Sequence, residues 1–349
     1  MMMRKQTRTV WGVALAALML AAGAFAQSLG RPGAHRGYAT DSFEGFSVVD
    51  NDTRIPQKSP SFWWWKRVKK DTPTAQLSYA MDLERQNKLA KAARAYRALV
   101  GKWPTSREAI KAQHTLAQVE EQLGHYAKAF DEYQYLLVHY AGNCPYEEIL
   151  DRQFRLANHL LHGHKSMFGF KINLTEEIRE RFELIVCNAP RSPRAPEVML
   201  IIGSLREEQK ELVEAIAVYD GILNRFPASK EANEAAYLSA RCRHTLTVKQ
   251  PENEARCRDS IAFIKALLER RPNHPCKEEL TAWQKEQQEL LIEQNYRKAL
   301  FYDSRQRSLD AAKNAYRRFL TEFGDSKYGP AVRKRLAELE SGQAVPLRN

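Results

Sequence analysis

One set of residue types returns six times along the chain at the same offsets. Each copy has a small or aliphatic residue, an aromatic residue or Ile four positions on, and an aliphatic residue or Phe three further. A proline usually follows five positions later. The copies are Ala92/Tyr96/Leu99/Pro104, Ala129/Tyr133/Leu136/Ala141, Ile178/Phe182/Ile185/Pro190, Ala215/Tyr219/Ile222/Pro227, Ser260/Ile264/Leu267/Pro272 and Ala312/Tyr316/Phe319/Gly324. Spacings of 37, 49, 37, 45 and 52 residues are typical of helix-turn-helix arrays with inserts.

Each copy predicts the second helix of a helical hairpin, because offsets of four and three lie on one helix face. Twelve residues upstream stands a small residue in three units, where the first helix must approach closely: Ala80, Ala117 and Gly203. A serine after each proline slot predicts the start of the next helix, at Ser106, Ser192, Ser229 and Ser326. We therefore expect an all-α solenoid, a right-handed superhelix of about six hairpins over residues 75–340, followed by a tail at 341–349.

The search for chemistry in the sequence gives no catalytic motif. GxSxG, HExxH, Walker-type and GxGxxG patterns are all absent from the sequence. The one local cluster is His159, His162 and His164, on a helix that we expect to end near Gly163. Two of these histidines could share a helix face, but no fourth ligand is evident, so helix-end histidines or an aromatic partner loop are the preferred interpretations. The sequence predicts no catalytic residue, metal or cofactor.

The amino terminus has the pattern of a signal peptide over residues 1–26. Arg4, Lys5 and Arg8 precede an apolar run from Val10 to Ala22, which is too short for an ordinary membrane-spanning helix. Ala24-Phe25-Ala26 supplies a small-x-small cleavage pattern, so we expect export, with an uncleaved anchor as the alternative. The first cysteine is Cys144, so no cysteine stands at the cleavage point to carry a lipid.

A flexible arm is predicted between the leader and the repeats, at 27–74, because residues up to about 60 are rich in Gly, Pro, Ser, Asp and Asn without periodicity. The arm contains three consecutive tryptophans, Trp63, Trp64 and Trp65, followed by a basic run. They either fold back as a cap over the first hairpin or dock on a membrane or partner.

Export permits disulfide bonds among the five cysteines. Cys144 and Cys187 are expected at adjacent ends of an antiparallel hairpin, as are Cys242 and Cys257. We therefore hypothesise the disulfides 144–187 and 242–257, with Cys276 unpaired. The alternative is that all five are buried thiols.

The net charge of +12 falls to +9 after removal of the leader, and the basic residues are concentrated near the carboxyl end. In an exported protein such a region meets acidic protein domains, lipid headgroups or cell-wall polymer, so we expect no nucleic acid partner. The candidate partner-binding residues there are Arg317, Arg318, Arg333, Lys334 and Arg335.

The units resemble tetratricopeptide repeats. Their joints, Trp103-Pro104-Thr105-Ser106, Phe226-Pro227-Ala228-Ser229 and the stretch from Phe323 to Tyr328, are similar to those of the BamD family, the periplasmic component of the machine that assembles outer-membrane β-barrels. The resemblance covers roughly residues 75–340. The family's members are normally lipoproteins with five units, whereas this chain lacks the lipobox cysteine and has about six units.

The resemblance implies a non-enzymatic scaffold at the periplasmic side of the outer membrane, holding the barrel component of that machine through its POTRA domains. Tyr79, Tyr96 and Tyr126 are candidate anchors for a peptide in the groove of the superhelix, with inter-helix packing as the alternative. The basic final unit would hold an acidic partner domain. A second possibility is an adaptor for envelope or cell-wall remodelling, similar to the coordinator of the Tol-Pal system. A third, a glycan-acting enzyme, would need a catalytic domain.

Overall fold

The structure, a computed structural model, describes residues 68–166, 171–304 and 309–341. The predicted signal peptide, the three tryptophans, most of the arm and all but the first residue of the tail lie outside these residues. Within the described ranges every helix and turn belongs to one compact unit, Glu44–Asn349, and no strand is present. The predicted all-α class is therefore confirmed.

Thirteen α-helices follow one another in the described residues. They are α1 Pro73–Arg85, α2 Leu89–Lys102, α3 Arg107–Gln122, α4 Tyr126–His139, α5 Tyr146–Ser166, α6 Lys171–Asn188, α7 Ala195–Glu208, α8 Leu212–Arg225, α9 Glu231–Lys249, α10 Glu254–Arg270, α11 Lys277–Ser304, α12 Leu309–Phe323 and α13 Gly329–Glu340. A short 3-10 turn, Ala141–Asn143, lies between α4 and α5.

The helices form six hairpins, α1/α2 to α11/α12, and α13 covers the last one. Every helix packs against the next one along the chain. First helices of neighbouring hairpins also pack together, as α1 does with α3, α7 with α9, and α9 with α11. This stacking of consecutive helix pairs is the arrangement of an α-solenoid.

The six recurrent sets form the core of the hairpins, as the sequence predicts. All eighteen residues at the first three positions of the sets are buried, including Tyr96, Tyr133, Tyr219 and Tyr316. The small residues upstream are buried too, at Ala80, Ala117 and Gly203. Hydrophobic burial along one stripe of each second helix therefore holds each hairpin together.

The joints between hairpins share one backbone pattern, but only one predicted serine caps a helix by its side chain. Ser106 accepts a hydrogen bond from the Ala109 amide at 3.2 Å and is the N-cap of α3. At Ser192, Ser229 and Ser326 the helix begins two to three residues later, although each serine amide, like that of Ser106, donates to a carbonyl three residues back. The prediction of serine N-caps is wrong at these three joints, because an extra turn separates the serine from the helix.

Two predicted helix boundaries also change. Helix α5 continues to Ser166 instead of ending near Gly163. The first helix begins at Pro73, two residues before the predicted start of the array, with Thr72 as N-cap. In the described part of the chain no helix is long and apolar enough to cross a membrane.

Candidate functional site

A tyrosine–carboxylate hydrogen bond recurs inside the hairpins. The tyrosine at the second position of the recurrent set donates from its hydroxyl to an acidic residue twelve or thirteen positions upstream, on the first helix. The bonds are Tyr96–Glu84 at 2.6 Å, Tyr133–Glu121 at 3.3 Å, Tyr219–Glu207 at 2.6 Å and Tyr316–Asp303 at 2.9 Å. Burial raises the pKa of the Tyr219 hydroxyl, and the hydrogen bond to Glu207 raises that pKa further. The hydroxyl therefore remains a donor at neutral pH.

In three of these hairpins an arginine from the next helix completes the contact. It reaches the same carboxylate that the tyrosine contacts, and so links one hairpin to the following helix. The arginine–carboxylate pairs are Arg152–Glu121 at 3.2 Å, Arg241–Glu207 at 2.8 Å and Arg335–Asp303 at 2.7 Å. Charge-assisted hydrogen bonds of this kind fix orientation as well as adding stability.

A second contact between hairpins recurs at a fixed spacing. The residue directly after the second anchor forms an ion pair with the residue 23 positions further along, on the first helix of the next hairpin or on α13. The pairs are Arg97–Glu120 at 2.6 Å, Glu183–Arg206 at 2.9 Å, Asp220–Arg243 at 2.8 Å and Arg317–Glu340 at 2.5 Å. The basic residue comes first in two pairs and the acidic residue comes first in the other two. The two positions of the ion pair are therefore the same in all four cases, but their charges are reversed in two.

Three of the predicted partner-binding residues take part in these contacts or in the core. Tyr96 is completely buried in the core, where its hydroxyl bonds to Glu84. Arg335 holds Asp303, a buried carboxylate, and hydrogen bonds to Asp303 raise the pKa of its guanidinium. Arg317 is engaged with Glu340, although more than half of its side chain is exposed. Their polar groups thus serve inter-helix packing first.

Tyr79 and Tyr126 lie on different hairpins, α1/α2 and α3/α4, and both are partly exposed. The ammonium of Lys70 lies 5.9 Å from the ring centroid of Tyr79. The ring of Tyr126 packs on His159 of α5, with centroids 4.0 Å apart. The structure does not bring the two tyrosines into one contact, so they remain separate candidates for partner binding.

The predicted histidine cluster takes part in helix contacts. His159 packs on Tyr126, and the Nδ1 atom of His162 lies 2.7 Å from the carbonyl oxygen of Asn158 on the same helix. The side chain of His164 lies outside the described residues. Where side chains are described, no group of three or more His, Cys, Asp or Glu residues is arranged to hold a metal ion.

The five cysteines are thiols, and neither predicted disulfide is formed in the structure. The Cys257 thiol donates to the carbonyl oxygen of Gln287 on α11, at 3.2 Å. The Cys144 thiol donates to the carbonyl oxygen of Ala141, at 3.7 Å. Burial raises the pKa of the Cys242 thiol to about 12, and the neighbouring Glu207 adds to this rise. The thiols of Cys144 and Cys257 thus form hydrogen bonds to backbone carbonyls. The disulfides 144–187 and 242–257 stay a hypothesis for the oxidised protein.

The other predicted partner-binding residues of the last unit, Arg318, Arg333 and Lys334, are exposed. Arg333 donates to the carbonyl oxygen of Gly324 at 2.8 Å and stays more than half exposed. Between residues 297 and 340 the sequence has eleven basic and six acidic residues. This part of the chain therefore carries a net positive charge.

The structure adds three exposed apolar side chains that sequence analysis missed, here called the last-unit patch: Phe301, Tyr302 and Leu309. These side chains are 51%, 41% and 51% exposed, at the end of α11 and the start of α12. The rings of Phe301 and Tyr302 meet edge to face, with centroids 5.9 Å apart. Next to them Asp303 is buried and bound to Tyr316 and Arg335. These bonds of Asp303 anchor the end of α11 beside the two exposed rings.

Comparisons with known proteins give one family match and several matches to solved structures. Residues 174–343 match the family described as YfiO, outer membrane lipoprotein. Among curated proteins nothing matches the chain.

Solved structures of tetratricopeptide proteins match at 15% identity. One is the carboxyl-terminal part of a TPR repeat-containing protein from Cytophaga hutchinsonii, with a TM-score of 0.30 over 76% of this chain and 88% of that one. Another is a TPR protein from Thermus thermophilus, with a TM-score of 0.28 over 62% and 98%. A third, from Parabacteroides merdae, has a TM-score of 0.27 over 77% and 98%.

The family match begins at residue 174, within α6, and covers just under half of the chain, whereas the resemblance in sequence was predicted from about residue 75. It includes the last-unit patch and Arg318, Arg333 and Lys334. Over residues 174–343 the chain is thus similar to the family described as YfiO, outer membrane lipoprotein.

Proposed function

We propose that this protein is a non-enzymatic periplasmic scaffold that assists the assembly of outer-membrane β-barrel proteins by holding partner proteins. The observation that carries the proposal is the match of residues 174–343 to the family described as outer membrane lipoprotein. The exposed features of the last unit lie inside that match. Helical-repeat arrays present extended surfaces, and their usual role is binding.

The surface of the last unit suits a partner that is both apolar and acidic. The last-unit patch offers aromatic and aliphatic side chains that would lose contact with water on binding, at about 25 cal/mol per Å² of apolar area. Arg318, Arg333 and Lys334 would increase the rate at which an acidic partner associates. In the family that the chain resembles, the corresponding partner is the barrel component of the assembly machine, with its periplasmic domains. We assign that role to the last unit.

The proposal is tested by replacing the native protein with a variant in the cells that make it. The test variant carries Phe301→Ser, Tyr302→Ser and Leu309→Ser, all at exposed positions. The matched control carries Val138→Ser and Val248→Ser, which remove exposed apolar side chains elsewhere in the array. Thermal unfolding and protein abundance confirm that both variants are folded and present.

We expect the test variant to lower the amount of folded outer-membrane barrels, measured by their heat-modifiable migration in gels, and the control to leave it unchanged. Normal barrels together with chaining or septal defects on depletion of the protein would contradict the proposal. That second outcome would support the envelope-remodelling adaptor instead.

A further inference from the structure

A groove lies between α8, α9 and α10, away from the last-unit patch. Its volume is about 190 Å³. The second helix of the fourth hairpin forms one side, and the fifth hairpin forms the remainder. The residues that line it are Val213, Ile216, Arg243, Leu246, Arg256 and Asp259.

The floor of the groove is apolar and accessible. Val213 is 53% exposed, and Ile216 and Leu246 are partly exposed. Three aliphatic side chains from two helices thus face a space large enough for one bulky apolar side chain.

The two arginines of the groove differ in how their charges are compensated. Arg243 contacts Asp220 at 2.8 Å and Asp259 at 3.1 Å, and its guanidinium lies 4.2 Å from the ring centroid of Phe263. The side chain of Arg243 is therefore held in place, and the two aspartates neutralise its charge.

Arg256 has no such compensation among the described residues. Its guanidinium donates to the side-chain oxygen of Gln250, a neutral amide, at 2.5 Å. Its backbone amide is held by the side chain of Asn253, the N-cap of α10, at 3.1 Å. The guanidinium has five N–H donors, so several remain for an acceptor in the groove. A carboxylate is the complementary acceptor, because it can receive two parallel N–H bonds.

We propose that this groove binds a peptide segment of a partner protein, with one bulky apolar side chain on the floor of Val213, Ile216 and Leu246 and a neighbouring carboxylate on Arg256. The proposal adds a second binding site to the scaffold. It stands independently of the role assigned to the last unit, since the groove and the last-unit patch share no residue.

The test is methyl NMR of the full chain, with Ile, Leu and Val methyl groups labelled, during titration with short peptides. The first peptide is acetyl-Ser-Glu-Phe-Glu-Ser-amide. Two matched peptides replace both Glu by Lys, or Phe by Ser. We expect the first peptide to shift the methyl signals of Val213, Ile216 and Leu246. We expect each matched peptide to bind about tenfold more weakly, the factor that corresponds to one lost contact of about 1.4 kcal/mol.

Variants separate the two halves of the groove. Val213→Glu places a charge on the apolar floor. Arg256→Gln removes the positive charge that we expect to bind the carboxylate of the peptide. The control is Val138→Glu on α4, at a similarly exposed valine. Both groove variants should weaken binding of the first peptide about tenfold or more, and the control should bind as the unmodified chain does. Each variant is first shown to unfold at the same temperature as the unmodified chain.

Equal affinity for the acidic and the basic peptide would overturn the proposal. So would unchanged binding by both folded groove variants, or an absence of shifts at the three methyl-bearing residues. None of these results would bear on the last-unit patch.

Discussion

The ring of Tyr219 occupies the space that a side chain on Gly203 would need. A Cβ atom built on Gly203 would lie 2.3 Å from Cε1 of Tyr219, far inside van der Waals contact. Gly203 is on α7 and Tyr219 on α8, so this contact sets the distance between the two helices of the fourth hairpin. The same ring carries the hydroxyl that bonds to Glu207, so packing and hydrogen bonding depend on one close approach.

Gly203→Ala should therefore destabilise the protein, by about 2–3 kcal/mol, because the new methyl group forces a fully buried aromatic ring to move. The matched control is Gly163→Ala on α5, where a Cβ has nothing within 4 Å. In a helix interior that control should be stabilising by about 0.5–1 kcal/mol. Urea unfolding measures both. Equal stability of the two variants would show that the hairpin has room for a side chain at Gly203.

The turn inside three hairpins uses a left-handed backbone at the same repeat position, nine residues before the anchor tyrosine. Asn87 has φ 55°, Gly124 has φ 74° and Lys210 has φ 64°. A lysine adopts this conformation at a cost of about 1 kcal/mol, which glycine avoids. We predict that Lys210→Gly raises the free energy of unfolding by about 0.5–1 kcal/mol and that Gly124→Ala lowers it by a similar amount. A destabilised Lys210→Gly protein would show that the lysine side chain makes a compensating contact.

The pH dependence of stability should depend in part on Glu120. Burial raises the pKa of this carboxyl, but hydrogen bonds from Arg97 and His125 outweigh burial, and the pKa is lowered from its ordinary value of 4.5. A carboxyl with a lowered pKa adds stability above its unfolded pKa, and this stability is lost as the pH falls through the folded value.

Glu120→Gln should thus lower the free energy of unfolding by about 2 kcal/mol at pH 7, through loss of the charge-assisted bonds. The difference from the unmodified protein should shrink as the pH falls below 4.5. Glu208→Gln, at an exposed position of α7, is the control and should show no such difference. A pH-independent effect of Glu120→Gln would mean that its carboxylate charge does not contribute.

The buried cysteines should be unreactive in the folded protein. Cys242 and Cys257 are buried, and the pKa of Cys242 is raised to about 12, so its thiolate is scarce at pH 8. Iodoacetamide should label neither cysteine until the chain is unfolded, and Cys276, which is partly exposed, should be labelled earlier. Peptide mass spectrometry locates the labels. Recovery of a disulfide-linked peptide with Cys242 and Cys257 from non-reduced protein would instead establish the hypothesised bond.

The sequence predicts the core of each hairpin well and the contacts between hairpins poorly. The apolar period reports which helix face is buried, so all eighteen anchor positions were identified. Ion pairs between hairpins depend on where the next helix packs. The spacing of apolar residues along one helix gives no information about that position. At the 23-residue spacing the basic residue comes first in Arg97–Glu120, but the acidic residue comes first in Glu183–Arg206. A comparison of residue types at these positions therefore does not reveal the repeated ion pair. Arg335 was therefore taken for a surface residue although it holds a buried aspartate.

The last-unit patch escaped sequence analysis for a related reason. Phe301 and Tyr302 are large apolar residues on a helix of 28 residues, and without the fold they are taken for buried residues. The available signal is their place between Ala299 and Asp303, both buried, which leaves the intervening positions on other faces of α11.

The central claim, that the last unit holds a protein partner in the envelope, is tested most directly by site-specific photocrosslinking in living cells. A photoreactive phenylalanine analogue replaces Tyr302 in one strain and Val138, the control position on α4, in another. We predict that the Tyr302 position captures the barrel component of the outer-membrane assembly machine, identified by mass spectrometry, and that the Val138 position does not. Capture of the same proteins from both positions, or no capture of an envelope protein from a folded Tyr302 variant, would contradict the account.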